Sequence, residues 1–302
     1  MIFLKQTIYI SCLIIILTNC TNKNLVGEEV FPVIEEFKEF GHPNTRELNI
    51  MPRAANARNG TQIVPIISDL TLEEREDYIY KEVKNGNIPD FLRNMVKVSA
   101  RTSIKGTFKY INYYVLPDYL ALGSDEDYFL CPMTPGLAQK LAEEFDCFLP
   151  TRRMVDQIWE AAKVKMQPQP IPPSDKMTTV PVFDQHNSDV GAQRQTFIAS
   201  GTLGTLVSGN KKDIIISNLI YRSPDPRRVI IYGWHDTTGK NIQPVYAGHN
   251  YNYVDYSHGI RLIQNKVYLD DLEIQASEVL SSEEIKSLLS DEGKILKPYY
   301  PN

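Results

Sequence analysis

The sequence predicts an α+β fold, with mixed β-sheets and flanking helices in a single large module. Three observations carry that prediction. Runs of β-branched and aromatic residues bounded by turn residues mark strands at 96–99, 107–115, 119–122 and 128–131, and again at 213–219 and 229–232. Helix start signals stand apart from those runs, at Asp69, Thr134-Pro135 and Pro150-Thr151. The sequence has no internal repeat and no low-complexity segment, which argues against an array or a disordered chain.

Each element has a local reason. Residues 30–95 read as helical and peripheral. Within them, Asp69 with Glu73 and Glu74 offers an N-cap and an acidic first turn for a helix to Lys84, and Asn85-Gly86-Asn87 stops it. The strands from 96 to 133 turn at Lys105-Gly106 and at Gly123-Ser124-Asp125. Thr134 caps a helix with proline at its first position, and Leu137, Leu141 and Phe145 recur at helical spacing as its buried stripe. A second helix spans 152–164, with Met154, Val155, Ile158 and Trp159 turned to the core. Four prolines in 167–173 make an extended, semi-rigid linker. A helix over 186–208, interrupted by Gly201 and Gly204, comes next. Residues 213–219 and 229–232 read as central strands. A hairpin across Asn265-Lys266 joins 261–264 to 267–269, and Ser281-Ser282-Glu283-Glu284 caps a last helix through Leu289.

Charge excludes one class of partner. The formal net charge is −5 over 302 residues, and no basic run of five or more residues occurs, so nucleic acid is not expected to bind. Tyrosine is frequent, with 17 Tyr against 2 Trp.

The N-terminus reads as an export signal. Lys5 supplies the positive region, and residues 8–17 are apolar but too short to span a bilayer. The run Leu17-Thr18-Asn19-Cys20 resembles the lipobox of bacterial lipoproteins. That resemblance implies cleavage before Cys20, lipidation of Cys20 and attachment to the cell envelope. Thr21 follows Cys20 where an aspartate would favour inner-membrane retention, so the outer membrane is expected. The expected organisation is a lipoprotein signal peptide at 1–19, a tether at 20–30 and an N-terminal α+β part at 31–166. The linker at 167–175 and a C-terminal α+β part at 176–302 complete it. Cys12 leaves with the signal. In an oxidising compartment Cys131 and Cys147 are then either a disulfide or two buried thiols.

The segment 248–262 concentrates the chemistry. It holds His249, Asp255, Ser257, His258 and Arg261 together with Tyr251, Tyr253 and Tyr256. Most of these side chains cost free energy when buried without partners, so few purely structural segments need the mixture. One reading is general acid–base catalysis, with His258 or His249 as acid or base, Asp255 orienting it and Arg261 binding an anionic group. A second makes His249, Asp255 and His258 ligands of a zinc ion, although their spacing matches no standard zinc motif; the first reading needs no cofactor. A hydrogen-bonded structural corner is the third. His235, at the exit of a strand, joins the catalytic candidates. Trp234, Lys212 and the three tyrosines join the candidate substrate wall, since aromatic faces with polar tips suit sugars and peptides. His186 reads as a helix-cap residue, and His42 carries no signal.

Ser257-His258-Gly259-Ile260-Arg261-Leu262 resembles the signature of L,D-transpeptidases, Ser-His-Gly-Cys-Ile-Arg-Leu. Those enzymes crosslink peptidoglycan through the cysteine. Here Gly259 is followed directly by Ile260, so the thiolate acyl-enzyme route is closed, and Ser257 is the candidate substitute nucleophile. From about residue 88 to the end the chain is also similar to a set of secreted bacterial proteins with no assigned activity. The segments that carry this are Pro132-Met133-Thr134-Pro135, Leu149-Pro150-Thr151-Arg152, Lys211-Lys212-Asp213, Tyr232-Gly233-Trp234-His235 and Asp255-Tyr256-Ser257-His258-Gly259. The expectation is a lipid-anchored hydrolase acting on a cell-wall or polysaccharide-type substrate. Its rival is a non-catalytic lipoprotein that binds glycan or peptide.

Overall fold

Two helices separate the first two strands of the largest sheet. Strand β1 (Thr45–Glu47) leads to α1 (Gly60–Ser68) and α2 (Leu72–Lys84), and then β2 (Asn94–Ile104) pairs back on β1. The computed structural model describes residues 41–198, 201–222 and 227–301. The expected signal peptide, Cys20 and the expected tether therefore lie outside the described residues. Ile63 and Ile67 on α1 and Ile79 and Val83 on α2 are buried in the core, so these helices are not peripheral. The cap of α2 is Thr71, not Asp69. Its hydroxyl accepts from the Glu74 N–H, and Glu74 reaches back to the Thr71 N–H at 2.9 Å.

Strand β3 (Thr107–Val115) forms a long hairpin with β2, in register from Ile104↔Thr107 to Val96↔Val115. Lys105 (φ 51°) and Gly106 (φ 82°) are both left-handed, as a two-residue hairpin turn requires. β2 runs past the expected 96–99 at both ends, because pairing with β3 holds it on to Ile104 and pairing with β1 holds Asn94 and Met95. A second hairpin joins β4 (Ala121–Gly123) to β5 (Tyr128–Leu130). Helix α3 (Pro135–Glu144) starts at the proline with Thr134 as its cap. β6 (Cys147–Phe148) and α4 (Arg152–Ala161) follow.

The proline-rich segment is extended. It leads from β7 (Val164–Lys165), which pairs in parallel with β8 (Val207–Ser208), into α5 (Val180–Ile198). α5 starts six residues earlier than expected and stops before Gly201 and Gly204. Both glycines adopt positive φ, at 73° and 78°, which ends a right-handed helix. β9 (Lys212–Ile214) is shorter than expected, because Ser217 caps a 3-10 turn at Asn218–Tyr221. β10 (Ile231–His235) and β11 (Asn241–Tyr246) form the next hairpin, and β12 (His258–Gly259) lies parallel to β9.

The expected hairpin across Asn265-Lys266 does not form. β13 (Ile263–Gln264) pairs instead with β3 and β6, while β14 (Lys266–Leu269) pairs with β3 and with β15 (Leu272–Gln275). α6 (Ala276–Ser281) ends where the last helix was expected to start, and Lys286–Leu288 is a 3-10 turn. The result is α+β. Among the described residues, one sheet has the order β1-β2-β3-β13-β6 with β14 and β15 attached, and another runs β11-β10-β9-β12. Strands before and after the proline-rich segment share the first of these, and the described residues belong to one compact unit.

Candidate functional site

Strand β9 is the spine of the polar cluster. Its parallel pairing with the two-residue β12 sets Lys212 against His258 and Asp213 against Gly259. Gly259 is required there by close approach: a Cβ would stand 2.5 Å from the Tyr119 ring and 2.7 Å from the Lys211 Cβ.

The turn before β12 fixes the carboxylate. Asp255 Oδ1 accepts from the Ser257 N–H at 2.7 Å and also from the Ser257 hydroxyl. The His258 N–H donates to the Asp255 carbonyl at 3.1 Å, so the chain turns tightly between them. His258 Nε2 is then 4.0 Å from Asp255 Oδ1, and neither ring nitrogen of this fully buried histidine has a hydrogen-bond partner. Burial lowers the His258 imidazole to about 4 against the pull of Asp255, so it is neutral at pH 7. Burial opposes ionisation of Asp255, but the facing His258 ring, the Lys212 ammonium and the Ser257 donors outweigh it and hold the group below its usual range.

Aromatic rings connect this pair to the surface. Tyr253 lies 5.9 Å from the His258 ring and donates its hydroxyl towards Asp255 Oδ2 at 3.5 Å. His249 stacks on Tyr253 at 3.7 Å, and exposed Tyr246 meets His249 edge-on at 5.0 Å. The expected zinc set of His249, Asp255 and His258 is therefore not a ligand set. His249 is stacked face to face, and Asp255 Oδ1 is taken by Ser257. Among the described residues no group of three or more His, Cys, Asp or Glu side chains is arranged to hold a metal ion.

Behind the pair sits a lysine to which the sequence assigned no role of its own. Lys211 is fully buried, donates to the Tyr256 carbonyl at 2.6 Å and lies 3.1 Å from His186 Nδ1. Burial brings Lys211 down to about 7 and, with the nearby Lys211 charge, His186 down to about 2. His186 is thus a buried member of the cluster, not a cap residue. The Tyr256 and Trp234 rings pack on it. Tyr256 is no open wall: its hydroxyl bonds both the N–H and the carbonyl of Ile171, clamping the proline-rich segment. Half-buried Lys212 lies 5.0 Å over the Trp234 ring.

Other candidates sit elsewhere. Arg261 is sealed in the core. Its guanidinium donates to the Leu116 and Val207 carbonyls at 3.1 and 3.0 Å and faces Asp213 at 3.7 Å, with the Tyr119 ring 4.1 Å away. It ties three segments together with no exposed surface, a structural placement in contrast to its expected role as an anion anchor. Tyr251 anchors the C-terminus, donating to the Pro301 carbonyl at 2.9 Å. Cys131 and Cys147 are free and buried. Burial drives the Cys131 thiol up to about 12, so neither a disulfide nor a thiolate nucleophile is present there. His42, silent in the sequence, packs on Tyr268.

His235 leaves the cluster because the backbone turns it away. Gly233 (φ 96°) and Trp234 (φ 52°) are both left-handed, and the β10–β11 register shifts beside them. Trp234 consequently faces His186, while His235 Nε2 lies 3.0 Å from Asp156 Oδ1 on α4. Tyr232 donates to the same oxygen at 2.9 Å and accepts from the Asn241 amide at 2.6 Å. Trp159, expected in the core, is half-buried and lines an open cleft of about 330 Å³ with these groups.

No family model, no curated protein and no solved structure matches this chain. Among the described residues, no helix is long and apolar enough to cross a membrane.

Proposed function

We propose that this chain is an envelope lipoprotein, anchored through Cys20 in the outer membrane, that hydrolyses a cell-wall or polysaccharide-type substrate by acid–base chemistry at His258 and Asp255. The observation that carries the catalytic reading is the unpartnered imidazole of His258, 4.0 Å from a carboxylate. A neutral, buried base next to an ionised acid is costly to the fold and suited to proton transfer. In this reading His258 takes a proton from the attacking water and Asp255 stabilises the imidazolium that forms. The proton then passes to the leaving group. Ser257 serves here to hold the carboxylate, to which its hydroxyl and its N–H both donate, and water is the nucleophile in this reading. Substrate reaches the pair by parting the His249–Tyr253 stack, whose outer neighbour Tyr246 is exposed.

The second reading is a binding lipoprotein that lays a sugar or peptide on the same rings. The graded exposure of Tyr246, His249 and Tyr253 favours it. Incubating the purified protein with peptidoglycan sacculi and a glycan panel, with products read by mass spectrometry, separates the two. New reducing ends or free peptides that disappear in His258→Phe support hydrolysis. Retention on sacculi with no product supports binding alone. Metabolic labelling with a fatty-acid analogue tests the anchor: label lost in Cys20→Ala supports it, and label retained or absent throughout overturns it.

A further inference from the structure

The cleft around Asp156 and His235 is independent of the His258 pair and is assembled from three elements. Helix α4 supplies Asp156, Trp159 and Glu160, β10 supplies Tyr232 and His235, and Asn241 comes from β11. We propose that this cleft is a binding subsite for a neutral saccharide.

Its polar groups are pre-ordered. Asp156 Oδ1 is saturated by His235 and Tyr232, which fixes the plane of the carboxylate. The side chain is still 40% exposed, so Oδ2 is available to a ligand. The Asn241 amide is locked by its donation to Tyr232, leaving its carbonyl oxygen to accept. Glu160, one helical turn from Asp156, adds a second exposed carboxylate. Asp156 and Asn241 are thus fixed, planar acceptors of the kind that sort sugar hydroxyls.

The apolar part is equally fixed. The β10–β11 turn passes so close to the Trp159 indole that a Cβ on Gly239 would stand 2.7 Å from the ring, and Gly239 has a φ of 94° that a side chain would also strain. Lys165 covers one face of the ring at 3.9 Å, and the surface that half-buried Trp159 keeps is a rigid aromatic patch next to the acceptors, as in sites for amphipathic rings.

Charge decides among ligand classes. The Asp156 and Glu160 carboxylates are balanced by Lys240 in the cleft wall and by Lys165, whose ammonium lies 3.9 Å over the Trp159 ring. A cationic ligand would compete with two resident ammonium groups, and an anionic one would face two carboxylates. A neutral polyhydroxyl chain meets neither obstacle.

Titration calorimetry of the purified protein tests the assignment. The neutral probes are chitotetraose, cellotetraose and maltotetraose; spermidine is the cationic probe and trigalacturonate the anionic one. The expected result is saturable binding of at least one neutral tetrasaccharide, with affinity lowered about tenfold or more in both Trp159→Ala and Asp156→Asn. Asp156→Asn keeps the side-chain shape, so it stays informative where Trp159→Ala unfolds. Binding by no neutral probe, binding by the charged probes instead, or unchanged affinity in Asp156→Asn overturns the proposal. The subsite does not rest on the hydrolytic reading. Saccharide binding that persists in His258→Phe, with no hydrolysis in the native protein, sinks that reading and leaves this one standing.

Discussion

The His258 cluster and the His235 cleft lie in the same small sheet yet solve opposite problems. Around His258 the protein seals charge and unpaired nitrogen away from water: His258, Ser257, His186 and Lys211 are at most 1% exposed. Around His235 it saturates one carboxylate oxygen with two donors and leaves the rest open to solvent. The difference shows that a histidine beside a carboxylate does not define a role. The sealed pair stores electrostatic cost, whereas the open pair stores orientation.

The sharpest way to test the sealed side is to remove its guanidinium. Arg261→Met leaves Asp213 buried with only the Tyr119 hydroxyl and frees two carbonyls. A loss of about 3–5 kcal/mol is expected, read by chemical denaturation. A loss under about 1 kcal/mol would return Arg261 to the role of a ligand anchor.

Acidification should act next. A histidine held below its unfolded value of about 6.5 contributes stability above that pH and loses it as pH falls. The window for His258 closes near 4 and that for His186 near 2. Asp213 works the other way: burial raises it to about 6, so it takes up a proton earlier in the fold and adds stability as pH falls below 6. Two histidines against one carboxyl leave a net loss on the order of 3 kcal/mol between pH 6.5 and 4. Denaturation at several pH values reads it, and a flat profile would mean that the imidazoles are hydrated.

Substitution of His258 itself should cost little. His258→Phe removes two unpaired buried nitrogens while filling the space, so stability should hold or rise by about 1 kcal/mol. Any hydrolysis should fall by at least about a hundredfold if the ring is the acid–base group. A large fall in melting temperature would point instead to a structural corner.

The smallest effect belongs to the open side. Glu160→Gln sits on an exposed helical position and should change stability by no more than about 0.5 kcal/mol. Its signature is weaker saccharide binding at unchanged melting temperature. An equal loss in both would mean that the cleft is part of the packing.

Legibility in the sequence followed the range of the signals. α3 and β3 were readable because their caps, turns and apolar spacing are local. Strands β6, β8 and β12, two residues each, were not, since pairing with distant segments creates them, and β13 was legible as a strand but not in its partners. The window 248–262 stood out because its residue types are expensive to bury, and Asp255, Ser257 and His258 are indeed buried together. Arg261 misled for the same reason: backbone carbonyls can satisfy a buried guanidinium, and they leave no trace in sequence. Asp156 and Glu160 carried no signal on the 152–164 helix, and Trp159 looked like core. Only the left-handed turn at Trp234 brings His235 to them, and Gly233 was its one visible hint.

The insertion of β13 between β3 and β6 has a consequence for the timetable of folding. The two older strands have no direct pairing with each other; Ile263 touches Val115 on one side and Phe148 on the other. A chain emerging from the ribosome therefore carries an open sheet until nearly nine-tenths of it has been made.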